Sequence, residues 1–307
     1  MDKIKIFSPA TIANVSCGFD VLGLCLDTVG DEMHFEKSKE KGLRIKEILG
    51  ADLPLEIENN VAGVAGLALY EHLNPDFGIE MTICKNIKAG SGIGSSAASA
   101  AGAVYGINVL CGSPLTNKEL VYYAMQGEAL ASGAPHADTV APALLGGFTL
   151  IRSYEPLDIV SIPTPSELYV AVIHPQIELK TKDSRAVVKQ QVSLKKAIIQ
   201  CSNLGGLICG LYNSDYDLIG RSLHDEFVEP IRSLLIPNFE ELKQVAIQAG
   251  ALGGGISGAG PSVFALCKGK DTALKVAQAM KEVVAHADYE SEIHVSPINP
   301  QGIKIIV

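Results

Sequence analysis

The sequence predicts an α+β chain built as two packed units. Its 307 residues are too many for one ordinary core, and at 47% hydrophobic and 19% charged they can fill two. Several short strand patterns precede the first long helical one, which suits an antiparallel or mixed sheet. Past residue 167, helical and strand patterns alternate, as in a small α+β sandwich. The proline-bearing SIPTPSE at 161–167 is the best boundary, giving units 1–165 and 166–307.

From the N-terminus, KIKIF alternates apolar and polar residues and predicts a strand, interrupted at Pro9 and Asn14; a second apolar stretch follows Asp20. Strand patterns recur at 32–36, 43–48, 55–57 and 79–83. NNVAGVAGLALYEHL has helical spacing behind an asparagine cap, Asn59 or Asn60. The alanine-rich run from Ser95 to Leu110 is long enough for a helix. Thr116 and Glu119 form a T-x-x-E capping box that starts another, through about Ala131. SGAPHADTVAPALLGGFTLI then returns to loop and strand. In the second half LYVAVIHP is a buried strand, and helical patterns follow at 193–212, 216–235 and 238–248. GGGISGAGPSVFALC is a glycine turn leading into a strand, Asp271 caps a last helix, and GIKIIV is a terminal strand.

The 25 basic and 34 acidic residues leave a formal charge of −9, with no basic run of five or more. A nucleic acid backbone is therefore not an expected partner, and an anionic ligand needs a local positive site. Seven cysteines without a CxxC pair fit reduced thiols in a cytoplasmic protein. MDKIKIF has no long apolar core, and no apolar run reaches about 18 residues, so neither a signal peptide nor a membrane span is expected.

The segment KNIKAGSGIGSSAASAAG, from Lys85 to Gly102, places a glycine loop between a strand and a helix opening at Ser95. A helix N-terminus leaves about four N–H groups unpaired and carries roughly half a positive charge. Glycines let the backbone curl against a ligand, so loop and helix together form an anion site that needs no basic side chain. A structural turn with a buried alanine helix fits the same residues. A dinucleotide fingerprint fits poorly: Gly92, Gly94 and Ala97 satisfy G-x-G-x-x-A, but the acid about 20 residues on, Glu119, sits in a capping box. A Walker A loop fails because no lysine follows the last glycine.

Taken together, three segments carry more: PATIANVSCGFDVLG (9–23), GSGIGSSAAS (90–99) and GGISGAGPSVFAL (254–266). In order and spacing they resemble the three motifs of the GHMP kinase superfamily. The first, with Asn14, Gly18, Phe19 and Asp20, is similar to the homoserine kinase family rather than to its mevalonate and galactose relatives, as are GAPHADTVAPALLGGF, TKDSRAV and DEFVEPIR. The chain departs from the pattern at Ser16 and Cys17, at Lys88 where proline is usual, and at Thr139 where asparagine is usual.

The resemblance implies an N-terminal ribosomal-protein-S5-like mixed sheet with helices and a C-terminal ferredoxin-like α/β sandwich, with the substrate site between them. It implies phosphorylation of the side-chain hydroxyl of L-homoserine by ATP with Mg²⁺; a sister kinase acting on another alcohol and a non-catalytic nucleotide or metabolite sensor are the alternatives. The implied nucleotide residues are Asn60, Lys85, Gly90, Ser91, Gly92, Ile93, Gly94, Ser95 and Ser96, with Ser96 and Glu128 on the metal. The implied substrate residues are Asn14, Asp20, His136, Thr181, Arg185 and Arg232. Arginine suits a carboxylate because its fork donates two parallel hydrogen bonds. Asp20, Glu128 and Ser96 are the implied catalytic group, Asp20 accepting a hydrogen bond from the homoserine hydroxyl and orienting it. Ser257, Gly258 and Gly260 support the phosphate loop or the substrate, or make a tight turn. A homodimer is suggested by analogy alone.

Overall fold

The computed structural model describes residues 1–177, 179 and 181–306, and of residues 181–183 the backbone only. Strand β1 (Lys3–Ala13) pairs antiparallel with β2 (Leu22–Ser38), from Lys3 opposite Glu36 to Ala13 opposite Gly23. The interruption expected at Pro9 is a bulge between Pro9 and Thr11, after which β1 continues to Ala13, just before Asn14. β3 (Leu43–Leu49) runs parallel to β4 (Gly78–Cys84), which pairs with β2. The hairpin β5 (Phe148–Tyr154) and β6 (Leu157–Ile162) joins the near end of β2.

Helices α1 (Val61–Leu73), α2 (Ser95–Leu110), α3 (Asn117–Ser132) and α4 (Ala137–Leu145) pack on this sheet around Ile6, Met33, Phe35, Ile79 and Val104. The small residues of α2 are a packing requirement. A Cβ at Gly106 would lie 2.2 Å from the Phe35 ring, and one at Gly102 would lie 2.3 Å from Met33 Sδ.

The chain passes at 163–167 into a second sheet. Its first strand, β7 (Leu168–Pro175), is followed by α5 (Thr181–Ala186), α6 (Leu194–Asn213), α7 (Tyr216–Ser222), α8 (Glu229–Arg232) and α9 (Phe239–Gln248). Then come β8 (Gly253–Ile256), β9 (Val263–Lys268), α10 (Lys270–Val284) and β10 (Ser291–Pro297), giving the order β10-β7-β9-β8. The last strand, β11 (Lys304–Ile305), leaves this unit and pairs with β1. The division at 165 therefore misses that the C-terminal residues complete the first sheet, which has seven strands among the described residues. A core containing Ile12, Leu24, Phe148, Val172, Leu207 and Phe264 joins the two units. The result is the expected α+β class, with a mixed first sheet and a second sheet whose described pairings are all antiparallel. Among the described residues no helix is long and apolar enough to cross a membrane.

Four local expectations are corrected. Residues 55–57 form no strand but lead into a 3₁₀ turn at Ile57–Asn59. The stretch taken for loop holds α4 despite Pro142; the carbonyl of Asp138 that Pro142 leaves without a donor rests against Gly23, where a Cβ would come within 1.9 Å of it. The helix expected over 216–235 breaks after Ser222, because the carboxylate of Asp225 takes the N–H groups of Phe227, Val228 and Glu229. Gly269, not Asp271, occupies the cap of α10.

Candidate active site

The three glycine segments converge on one cavity of about 640 Å³, open to solvent between the two units. Gly90, Gly92 and Gly94 all take left-handed backbone, φ +75°, +81° and +73°. A Cβ on Gly94 would lie 2.2 Å from Thr11 Oγ1 and one on Gly92 2.5 Å from the Gly260 carbonyl, whereas one on Gly90 would meet nothing within 4 Å. Hydroxyls of the third segment hold the loop: Ser257 donates to the Gly92 carbonyl at 2.8 Å and Ser262 to that of Ser91 at 2.6 Å. The first N–H groups of α2, from Ser95 onward, have no acceptor in their own helix, and Ser95 and Ser96 line the cavity.

Beneath the loop lies a buried ion pair. The Lys85 ammonium meets the Asp31 carboxylate and also donates to the Ser95 carbonyl and to Ser99 Oγ, each at 3.0 Å. The other Asp31 oxygen accepts from the N–H groups of Asn86 and Ile87. Burial lowers the Lys85 pKa, against the pull of Asp31. Lys85 thus reaches the cavity wall with its charge already neutralised. Asn60 is similarly engaged: its Oδ1 caps α1 at Ala62 and Gly63, and its Nδ2 donates to the Pro54 carbonyl. The Ser95 hydroxyl donates to the Ile87 carbonyl at 2.8 Å. Leu53, Pro54, Val61 and Ile83 give this end of the cavity apolar walls.

In the middle, Ser96 Oγ donates to Glu128 Oε2 at 2.8 Å. Burial on α3 raises the Glu128 carboxyl to about 7, opposed by the Ser96 hydrogen bond. Two hard oxygen donors flanking a phosphate-sized space suit Mg²⁺, which keeps much of its water and needs few protein ligands. Among the described residues no cluster of three or more His, Cys, Asp or Glu side chains forms a metal cage.

At the far end, Asn14, Val15, Ser16 and Asp20 all have positive φ (+72°, +39°, +61° and +59°), a backbone strained for side-chain-bearing residues. Asn14 stabilises the turn through both ends of its amide, donating to the Gly258 carbonyl at 2.7 Å and accepting from the Asp20 N–H at 3.0 Å. The Asp20 carboxylate is held in the fork of Arg185, at 3.1 and 2.7 Å. Arg232 is 2% exposed and donates to the carbonyls of Ser184 and Gly258. Burial lowers its pKa to about 10, so it is a cation in need of an anion. Both guanidiniums lie near the Phe19 ring. His136 Nδ1 is 3.0 Å from Ser132 Oγ, while Nε2 is buried without a partner. Burial and the Arg185 charge keep this ring below the usual histidine range. The side chain of Thr181 lies outside the described residues.

Of the departures, Thr139 bonds the His136 carbonyl at 3.2 Å, and Lys88 reaches across the units to Gln176. Sequence reasoning missed Asp138, at the start of α4. It is 2% exposed, has one oxygen without a partner, and is raised to about 7 by burial and then by the charges of Asp20 and Glu128. The signal was present in H-x-D, but one aspartate in a presumed loop reads as a turn residue. Tyr154 was missed too; its hydroxyl accepts from the Ala137 N–H and donates to the Asp20 carbonyl.

A strand–glycine loop–helix anion site facing a paired-arginine pocket defines a small-molecule kinase, and two family models agree. GHMP kinases N terminal domain matches residues 51–147 and GHMP kinases C terminal matches 207–286. A homoserine kinase of Chlorobium phaeobacteroides is 44% identical over 320 residues, covering all of both chains. One from Xylella fastidiosa is 38% identical over 99% of this chain and 94% of its own. The crystal structure of homoserine kinase from Cytophaga hutchinsonii superposes with a TM-score of 0.96 at 49% identity, covering 100% of this chain and 98% of that one. An L. major mevalonate kinase shares the fold at 18% identity, TM-score 0.72, over 96% of each chain. The chain belongs to the homoserine kinase family of the GHMP kinases.

Proposed function

We propose that the chain transfers the γ-phosphoryl group of ATP to the side-chain hydroxyl of L-homoserine, forming O-phospho-L-homoserine for threonine biosynthesis. The observation that carries this reading is one cavity with an amide-lined glycine loop at one end and an Asp20–Arg185–Arg232 cluster at the other. Such transfer depends on positioning and charge neutralisation more than on covalent chemistry of the protein.

The backbone from Gly90 to Ser96 cradles the polyphosphate, with Lys85 fixing the first turn of α2 rather than touching phosphate through a free charge. Asn60 forms the adenine-side wall through its backbone and neighbours. Ser96 and Glu128 would hold Mg²⁺, which neutralises phosphate charge when bound. Arg232 and Arg185 receive the substrate carboxylate, and in doing so release Asp20 to accept from the substrate's hydroxyl or ammonium. Asp138, with a carboxyl near 7, is matched to take up the hydroxyl proton at neutral pH. Free thiols and the absence of a membrane-length helix among the described residues support a cytoplasmic enzyme.

The test is ADP release with and without L-homoserine, with and without Mg²⁺, alongside mevalonate, shikimate and galactose. Release dependent on both L-homoserine and Mg²⁺ is expected. Equal release without an alcohol, or preference for another one, would replace this reading with a sensor or a sister kinase.

A further inference from the structure

Asp31 stands in β2, fully enclosed, and forms no part of the cavity wall. A carboxylate taken out of water must have both oxygens paired, and the partners of this one gather on the glycine loop. One oxygen accepts from the N–H groups of Asn86 and Ile87, at 2.8 and 2.9 Å, where β4 gives way to the loop. The other meets the Lys85 ammonium. The remaining two donors of that ammonium go to the Ser95 carbonyl and Ser99 Oγ, in α2, where the loop ends. The Ser95 hydroxyl closes the ring by donating to the Ile87 carbonyl, eight residues back along the chain. The sheet itself is joined without this carboxylate: β2 pairs with β4 through a main-chain ladder from Glu32 to Ser38, and Asp31 stands just beyond it.

We propose that Asp31 is a positioning residue for the triphosphate of the nucleotide, holding both ends of the glycine loop at once. This deepens, and rests on, the reading of residues 90–96 as the polyphosphate cradle. A backbone N–H donates along one line, so amides that bind an anion must be aimed as well as exposed. Glycine supplies the left-handed turns of the loop, yet it is the residue that least restricts its own backbone. The loop therefore needs bracing from outside the cavity. Ser257 and Ser262 brace its middle from the second unit, and Asp31 braces its two ends from the first. Lys85 alone could not do so, since without Asp31 it would be an unpaired cation beneath the loop, free to turn into the cavity that it lines. The apolar wall at Leu53, Pro54 and Val61 takes no bond from the Asp31 carboxylate, so a nucleoside without phosphates should not sense its loss.

Calorimetric titration with ATP and with adenosine, both with Mg²⁺ present, tests this. The wild type should bind ATP more tightly than adenosine. Asp31→Asn should weaken ATP by at least about tenfold, the scale of one lost hydrogen bond to a charged group, and leave adenosine unchanged. In turnover it should raise the KM for ATP by the same factor and leave the KM for L-homoserine unchanged. Equal loss of ATP and adenosine would make Asp31 a general packing residue and overturn the proposal, as would no loss of either. Wild-type binding of ATP no tighter than adenosine would overturn both the cradle and its brace. Tight ATP binding without phosphorylation of L-homoserine would overturn the substrate reading alone, and the two titrations would still decide this one. If Asp31→Asn loses its fold because Lys85 is left buried and unpaired, combining it with Lys85→Met removes that cation and keeps an acceptor for Asn86 and Ile87. The double variant should show the same selective loss of ATP, and unchanged ATP affinity in it would overturn the proposal.

Discussion

Glu128 and Asp138 are carboxylic acids brought near neutrality chiefly by the loss of water around them, and Asp138 also by the charges of Asp20 and Glu128. Each folded-state pKa lies above its unfolded value, so between about 4 and 7 the native state keeps protons that the unfolded chain gives up. The stability each contributes is complete below the unfolded value and is lost as pH rises towards 7. Glu128→Gln should therefore melt close to the wild type near pH 4.5 and above it at pH 8, without ligands; a difference constant across that range would refute the raised pKa. Glu128→Ala should lower kcat by about 10²–10³-fold, the scale of losing one group that offsets developing charge. That is measured by ADP release at saturating L-homoserine. Among single residues, the glycines were legible because left-handed backbone demands them, as at Gly94 against Thr11. Asp138 and Asp31 were not. Their importance comes from burial and from partners far along the chain, 54 residues away for the Lys85–Asp31 pair.

Helices carry Ser96, Glu128, Asp138, Arg185 and Arg232 of the site, and the caps help set where such side chains stand. The box expected at Thr116 and Glu119 forms with both of its reciprocal hydrogen bonds, and it starts the helix that bears Glu128. Thr116→Ala should cost about 1 kcal/mol in urea unfolding. α6 acts from behind: Gln200 Nε2 donates to the Cys17 carbonyl at 2.9 Å and to Asp225 at 2.8 Å, tying the strained turn to the cap of α8, which bears Arg232. Gln200→Leu should raise the KM for L-homoserine several-fold and leave that for ATP unchanged. Equal effects on both would mean a general loss of packing. Capping boxes and periodic runs were legible because they are local. α4 was not, since Pro142 disguises a helix whose displaced carbonyl is accommodated by Gly23 on another element.

For the molecule as a whole, the change of sheet at 163–167 was visible as a proline cluster, while the return of the last strand to β1 was not. Two residues of pairing carry little periodic signal. Ile303, 4% exposed, lies in the core of the first unit although it follows the second in sequence. Ile303→Ala should lower global stability by about 2–5 kcal/mol and shift one shared calorimetric transition. Two separate transitions would show that the units melt independently.

The lacing of residues 90–94 to 257–262 has a mechanical consequence. The loop belongs to one lobe and its clasp to the other, joined by Ser257 and Ser262 and with no room for even a methyl group at Gly92. A jaw that swung open there would have to part the Gly92 and Ser91 carbonyls from their hydroxyl donors, so the seam resists opening. A ligand entering the cleft meets a floor whose two halves are already stitched together by those hydroxyls.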